Sequence, residues 1–212
     1  MGAPIVMIQW LKPNEFRETQ DIIKEFAGKT PTLDLIDVES AAEFRSALQR
    51  LKNDDTCQFL FIGSHGIKDI NKKCIGIGKS ITDYLTWPDL WTALSVAKKP
   101  PVLWLGACSS SQCAEAWSPF PSDKLVVEWI VGFRKDIYPP EIKDILSKLI
   151  NLTSVSAITF VEEEIPLLQE CVPDTSVAMH YPAYFNNANR FLDIEQFTTT
   201  FGKTFKEFIE RK

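Results

Sequence analysis

Short apolar runs recur along the chain and alternate with charged, periodic segments. Continuous apolar runs of this length, rich in β-branched and aromatic residues, are typical of strands that are buried on both faces of a sheet. The runs lie at Pro4–Leu11, Thr32–Val38, Cys57–Ile62, Val102–Leu105 and Leu125–Phe133. The pattern therefore predicts five buried strands.

Segments with apolar residues at helical spacing fall between and after these runs. The predicted helices are Asn14–Ala27, Ser40–Lys52, Thr86–Lys98, Gln112–Trp117, Pro139–Leu152 and Ile194–Arg211. Asn14, Ser40 and Thr86 are suitable N-cap residues. Strands that alternate with helices predict right-handed βαβ crossovers and a mainly parallel sheet with helices on both faces. We therefore expect one α/β domain over residues 1–212.

Three stretches carry weaker signals. A small hairpin is expected around Cys74–Ile81, where two glycines interrupt an apolar run. Val155–Val161 fits either a strand or a helix, and periodicity does not decide between them. The proline-containing stretch Glu162–Ala188 shows little periodicity, and we interpret it as loops.

Composition and charge exclude several function classes. The chain has 212 residues, 45% of them hydrophobic, and a formal net charge of −5, which disfavours a broad nucleic-acid surface. No apolar run reaches the roughly 20 residues that span a bilayer. The first residues, Met1–Ile5, lack a basic region followed by an apolar one, so no secretory signal is expected. These features predict a cytoplasmic protein that binds neither nucleic acid nor membrane.

The cysteines and glycines give no sign of a metal or nucleotide site. The five cysteines are odd in number and irregularly spaced, which favours free thiols over a disulfide framework and does not match zinc-ligand spacing. Gly78-Lys79-Ser80 ends like a phosphate-binding loop, but the loop pattern requires glycine where Lys73 stands. We expect no metal and no cofactor.

Two neighbouring strands end in residues that carry chemistry. The third predicted strand leads into Ser64-His65-Gly66, and the fourth leads into Ala107-Cys108-Ser109. A single crossover helix joins the two strands, so we expect His65 and Cys108 at the same carboxyl rim of the sheet. An imidazole beside a thiol makes a base and a nucleophile. The amides of Gly66 and Cys108 would form an oxyanion hole.

The segments FIGSHG and LWLGACSSS resemble the His-Gly and Ala-Cys signatures of caspase-like cysteine peptidases (clan CD), most closely those of the bacterial CHAT type. The resemblance covers Phe59–Ser111 and extends to VVEWIVGF in the following strand. It implies a caspase-like three-layer sandwich and a cysteine endopeptidase that uses a His65/Cys108 dyad and a thioester acyl-enzyme. It also implies a protein or peptide substrate and a regulatory protein or ligand, because such domains often belong to larger bacterial proteins.

The chain departs from strict caspases around the cysteine. The Gln before Ala-Cys is replaced by Gly106, and the Arg-Gly after it by Ser109-Ser110. The resemblance therefore does not carry over the aspartate preference of caspases, and Gly106 also lacks the acidic side chain that metacaspases have there. The candidate substrate pocket comprises Ser64, Gly106, Arg134 and Asp136. Neither charge sign is favoured for the substrate residue.

Two other interpretations stay open at this point. Cys108 alone would more often be a buried structural thiol, and His65 a loop histidine bonded to backbone. The chain would then be a catalytically inactive caspase-like module that binds or scaffolds other proteins. A different α/β hydrolase is disfavoured because no Gly-x-Ser-x-Gly elbow is present.

Overall fold

The computed structural model of the protein describes residues 5–12, 15, 33–99, 101–114, 126–127, 129–138, 177–185 and 188–193. Its strands are β1 (Ile5–Trp10), β2 (Leu33–Asp37), β3 (Phe59–Lys68), β4 (Cys74–Ser80), β5 (Asp83–Thr86), β6 (Val102–Gly106), β7 (Trp129–Phe133), β8 (Val177–Phe185) and β9 (Ala188–Asp193). Its helices are α1 (Ala41–Gln49) and α2 (Trp87–Leu94), with 3₁₀ helices at Arg50–Lys52 and Ser110–Ala114.

The strands form a sheet in the order β2-β1-β3-β6-β7-β8-β9. The pairs β1–β2, β1–β3, β3–β6 and β6–β7 are all parallel. The last two strands, β8 and β9, run antiparallel to their neighbours. The protein is thus of the α/β class with a mainly parallel sheet, which confirms the class predicted from the alternating pattern.

One face of the sheet packs against α1 and α2. Apolar residues at alternate positions of β1, β3 and β6 point to this face and are fully or almost fully buried, as are the large apolar residues of the two helices. Trp10 of β1 and Phe44 of α1 stack with their ring centroids 5.2 Å apart. Each large side chain buried in this way contributes about 1.5–3 kcal/mol by leaving water. This burial fixes the positions of β1, β3 and β6.

The opposite face is buried as well. Its residues include Met7, Phe61 and Trp104, each about 1% exposed. The predicted helices Asn14–Ala27 and Pro139–Leu152 lie outside the described residues apart from Glu15. Helices on both faces therefore stay a prediction, as does the single domain over residues 1–212.

Two predicted helix starts are confirmed. The hydroxyl of Ser40 accepts a hydrogen bond from the Glu43 amide at the start of α1. Thr86 and Asp89 form a reciprocal capping box at the start of α2. Such caps typically contribute about 1 kcal/mol each. Both helices end earlier than predicted, α2 at Leu94 instead of Lys98.

Several predicted elements differ from the structure. The helix predicted at Gln112–Trp117 is a 3₁₀ helix over Ser110–Ala114 as far as the structure describes it, and residues 115–117 lie outside the described residues. The strand predicted at Leu125–Phe133 begins only at Trp129, because its ladder with β6 begins where Trp129 pairs with Val102. Val126 and Val127 are buried without belonging to a strand.

The stretch Glu162–Ala188, interpreted as loops, contains all of β8 and the first residue of β9, so that interpretation is wrong for Val177–Phe185. Pro182 interrupts the apolar pattern there and disfavours a strand interior. The ladder with β7 ends at His180, so Pro182 pairs only with Phe191 of β9. Val155–Val161 and Ile194–Arg211 lie outside the described residues. No helix of the described residues is long and apolar enough to cross a membrane.

Candidate functional site

Strand β3 pairs with three strands, β1, β6 and β4, and the site lies where its pairing changes from parallel to antiparallel. Its first half pairs in parallel with β1 and β6, as far as Ser64 and Gly63 respectively. From His65 onward it pairs antiparallel with β4, which continues into β5. The predicted strand ended at Ile62, but pairing with the third partner strand, β4, extends β3 to Lys68. His65 and Gly66 therefore lie within a strand and not in a loop after it.

The register of β3 and β6 brings the predicted histidine and cysteine to the same rim. Gly63 of β3 is directly opposite Gly106 of β6. His65 and Cys108 each follow two residues after these paired glycines. His65 and Cys108 therefore lie at equivalent positions, two residues beyond the last pair of the β3–β6 ladder.

The backbones of Gly66 and Cys108 are in close contact. A Cβ atom added to Gly66 would lie 2.0 Å from the carbonyl oxygen of Cys108 and 3.2 Å from the Cys74 sulfur. Only glycine, which lacks that atom, permits this approach. In the described part of the chain, no backbone carbonyl accepts a hydrogen bond from the Cys108 amide. The two residues expected to form the oxyanion hole are thus adjacent.

The backbone after Cys108 turns sharply and is fastened to the segment that follows β7. Ser109 has a φ of 53°, a left-handed conformation that is uncommon for a residue other than glycine. Its amide donates to the Lys135 carbonyl at 2.9 Å. The buried Ser110 hydroxyl donates to the Leu105 carbonyl and accepts from the Phe133 amide. These bonds fix the turn that carries Cys108.

The Cys108 sulfur is half-buried against Ile137. The Ile137 amide donates a hydrogen bond to the sulfur at 3.4 Å, and the Ile137 carbonyl oxygen lies 3.6 Å away. Burial raises the pKa of the Cys108 thiol, and the Asp136 carboxylate raises it further, whereas the Ile137 amide and the Lys68 ammonium lower it. The net pKa lies above its ordinary value. The resting side chain is therefore a thiol that needs a base.

The His65 imidazole contacts a carboxylate that the sequence pattern did not reveal. Its Nε2 lies 3.0 Å from Oε2 of Glu15, and the two side chains are 44% and 32% exposed. Burial raises the pKa of Glu15, but the hydrogen bond with His65 and the Lys12 amide lower it by more, so the net pKa is below its ordinary value. Within the described residues, no hydrogen bond joins His65 to Cys108.

A charged cluster lies beside the cysteine on the segment that follows β7. The Lys68 ammonium donates to the Asp136 carboxylate at 2.5 Å, and the Ser109 hydroxyl donates to the same carboxylate at 3.4 Å. This contact raises the pKa of Lys68 above its ordinary value. Asp136 precedes Ile137, whose backbone holds the sulfur, so the ion pair borders the thiol.

The candidate pocket residues occupy different environments. Ser64 is 5% exposed, and its hydroxyl donates to backbone carbonyls of His65 and Gly78. Gly106 packs against the Phe61 ring, which lies 2.6 Å from the position of an added Cβ. Arg134 and Asp136 are exposed. Asp136 contacts Ser109, which follows Cys108, and its carboxylate raises the pKa of the Cys108 thiol.

The other described cysteines, Cys57, Cys74 and Cys113, are buried. Burial raises the pKa of Cys57 to about 12 and that of Cys74 to about 11. The Cys74 thiol donates to the Cys108 carbonyl at 3.5 Å, and the Cys74 amide donates to the Gln112 side chain at 2.7 Å. Cys74 therefore packs, as expected, and also ties β4 to the backbone of the Cys108 turn.

Three residues of the site were missed by sequence reasoning. Glu15 and Lys68 reach it through side-chain contacts over long sequence separations, and Ile137 acts through its backbone amide. None carries a local motif that distinguishes it from a surface residue. The parallel topology offers one signal for Glu15, because β1 ends beside β3 at the same rim. No comparable signal exists for Lys68 and Ile137.

The described residues contain no group of three His, Cys, Asp or Glu side chains suited to a metal ion. The glycines of the Gly76–Ser80 segment lie in strand β4 and pair with β3 or β5, so this segment is not a loop in the structure. No protein-family model matches the chain, and no curated protein matches it.

Proposed function

We propose that this chain is a caspase-like cysteine endopeptidase in which Cys108 is the nucleophile and His65 is the general base and acid. The observation that carries the proposal is the register of β3 and β6, in which both residues follow two positions after the paired glycines Gly63 and Gly106. Among ordinary side chains, an imidazole and a thiol at one rim form an effective base and nucleophile. The contact between Gly66 and Cys108 supports the same assignment.

The reaction begins with proton transfer from the Cys108 thiol, because its raised pKa leaves it protonated at neutral pH. The His65 imidazole takes the proton, and the sulfur lone pair forms a bond to the scissile carbonyl carbon. The imidazolium then gives its proton to the leaving amine as the C–N bond breaks. In the second half, the imidazole removes a proton from water, which attacks the thioester, and the proton returns to the sulfur.

The developing negative charge on the carbonyl oxygen needs nearby donors. The amides of Gly66 and Cys108 are the proposed pair. The close approach of their backbones supports this role, as does the lack of a backbone carbonyl bonded to the Cys108 amide in the described residues. A donor of this kind typically contributes about 10²–10³-fold to turnover.

The proposed fold is a caspase-like three-layer sandwich. The parallel sheet and the helices α1 and α2 on one face support it, and so does the burial of the opposite face. The proposed substrate is a protein or peptide whose side chain contacts the exposed Asp136 or Arg134 beside the cysteine turn. A regulatory protein or ligand is proposed to control the site in the cell.

A peptide-library cleavage profile tests the proposal. Wild type is compared with Cys108→Ala, His65→Ala and the control Cys57→Ala, which removes the same atom from a buried cysteine. We expect cleavage by wild type and the control, and none by the first two variants while circular dichroism shows that they fold. A thiol-reactive peptide probe that labelled another cysteine and left Cys108 unmodified would refute the proposal.

A catalytically inactive binding or scaffold module is the second candidate. Two observations favour it. The Cys108 sulfur accepts a hydrogen bond from the Ile137 amide, and among the described residues no hydrogen bond joins this sulfur to His65. In that case no peptide would be cleaved under any condition. Partner capture would then be equal for wild type, Cys108→Ala and His65→Ala.

A further inference from the structure

Glu15, which follows β1 in the chain, has its carboxylate beside His65 at the rim of the sheet. Trp10, the last residue of β1, pairs with Ser64 of β3, so the chain that follows β1 starts beside His65. The Glu15 amide donates to the Lys12 carbonyl at 2.9 Å, and the Lys12 amide donates to the Glu15 carboxylate at 3.1 Å. These two bonds hold Glu15 against Lys12, and the carboxylate that accepts from the Lys12 amide also contacts the imidazole.

The carboxylate determines which ring nitrogen of His65 carries the proton. An ionised carboxylate only accepts hydrogen bonds, so the 3.0 Å contact requires a proton on Nε2 of His65. In the neutral imidazole, Nδ1 then bears the lone pair and is the nitrogen that can accept a proton. The lowered pKa of Glu15 keeps the group ionised through the neutral pH range.

We propose that Glu15 is a positioning residue for His65, whose carboxylate fixes the Nε2–H tautomer and the ring orientation so that Nδ1 is the basic nitrogen. The inference rests on the proposed peptidase function. Glu15 itself transfers no proton to substrate. Glu15 restrains the orientation of the His65 imidazole through this hydrogen bond, as the acid of a catalytic triad does.

The test compares Glu15→Gln and Glu15→Asp with the control Glu43→Gln. Glu43 also accepts a backbone amide, from Glu39 at 2.8 Å, but lies on α1 and contacts no histidine in the described residues. Two readouts are used: the ¹⁵N chemical shifts of the His65 ring, and kcat and KM for a cleaved peptide. The chain has two histidines, so the spectrum of His65→Ala assigns the ring.

We expect wild type and Glu43→Gln to show a protonated Nε2 and an unprotonated Nδ1 when the ring is neutral. In Glu15→Gln both ¹⁵N shifts should move toward each other, because an amide can donate as well as accept. We expect kcat to fall about 10²-fold with little change in KM, and Glu15→Asp to recover part of the loss because it keeps the carboxylate.

Unchanged ring shifts in Glu15→Gln would overturn the inference, whatever the activity. An equal loss of kcat in Glu15→Gln and Glu43→Gln would also overturn it, since the loss would then reflect general stability. Absence of cleavage by wild type would instead refute the proposed function, and the ring shifts would still decide whether Glu15 sets the tautomer.

Discussion

Replacing Gly66 by alanine tests the contact on which the site is built. The added Cβ would lie 2.0 Å from the Cys108 carbonyl oxygen, about 1.4 Å shorter than an ordinary 3.4 Å contact. Because the blocking atom is backbone, Cys108 must move by a similar distance. A displacement of about 1 Å in a catalytic group can cost about 10²-fold in rate. We therefore expect kcat/KM for a cleaved peptide to fall about 10²-fold in Gly66→Ala.

A matched control separates this effect from a general loss of stability. In Gly76→Ala the added Cβ would lie 2.0 Å from the Leu85 carbonyl oxygen, which is an equally severe clash in the same hairpin region. Overpacking of this kind typically costs about 1–3 kcal/mol. We expect both variants to lose a similar amount of thermal stability, measured by circular dichroism. Activity and Cys108 labelling are then compared well below both melting temperatures.

The result that refutes the reasoning is specific. If Gly66→Ala kept the activity and labelling rate of Gly76→Ala, the Cys108 backbone would not depend on the glycine. If neither variant were destabilised, the close approach itself would be absent from the protein in solution. Either outcome removes the structural basis for placing the oxyanion donors at Gly66 and Cys108.

Three further predictions concern charge and stability. Asp136→Asn should lower the pKa of Cys108, so that its alkylation rate rises at a lower pH than in wild type. Lys68→Met should raise this pKa and move the alkylation profile to higher pH. Equal profiles for the two variants would contradict the charge argument. Ser110→Ala removes the hydroxyl that bonds to the Leu105 carbonyl and the Phe133 amide, so both backbone groups lose that partner. The free energy of unfolding in urea should fall by about 1–3 kcal/mol. Phe44→Ala should lower it by about 3–5 kcal/mol, and a loss below 1 kcal/mol would argue against its stacking in the core.

The parts of the fold that follow local rules were predictable from the sequence. Continuous apolar runs gave the positions of β1, β2 and β6, and polar residues before apolar segments gave the caps Ser40 and Thr86. The rim that carries His65 and Cys108 followed from the topology of parallel strands. Each of these inferences depends on neighbours within one element or on one crossover.

The remaining parts depend on contacts between distant segments. The extension of β3 to Lys68 requires β4 as a partner. Strand β8 contains Pro182 beyond the end of its ladder with β7, where it pairs with β9. The Glu15 contact joins a residue that follows β1 to His65 of β3, 50 positions further along the chain, and no residue near Glu15 in the sequence indicates it. Pairing of this kind is decided by tertiary structure and not by local periodicity.

The pairing of β3 with β6 has a consequence for assembly of the protein. The two strands are separated in the sequence by β4, β5 and α2, so the rim that carries the imidazole and the thiol depends on a long-range pairing. A slip of one rung would also turn the side chains of one strand to the opposite face of the sheet. Under the proposed function, the imidazole and the thiol would share one rim only in the native alignment of β3 and β6.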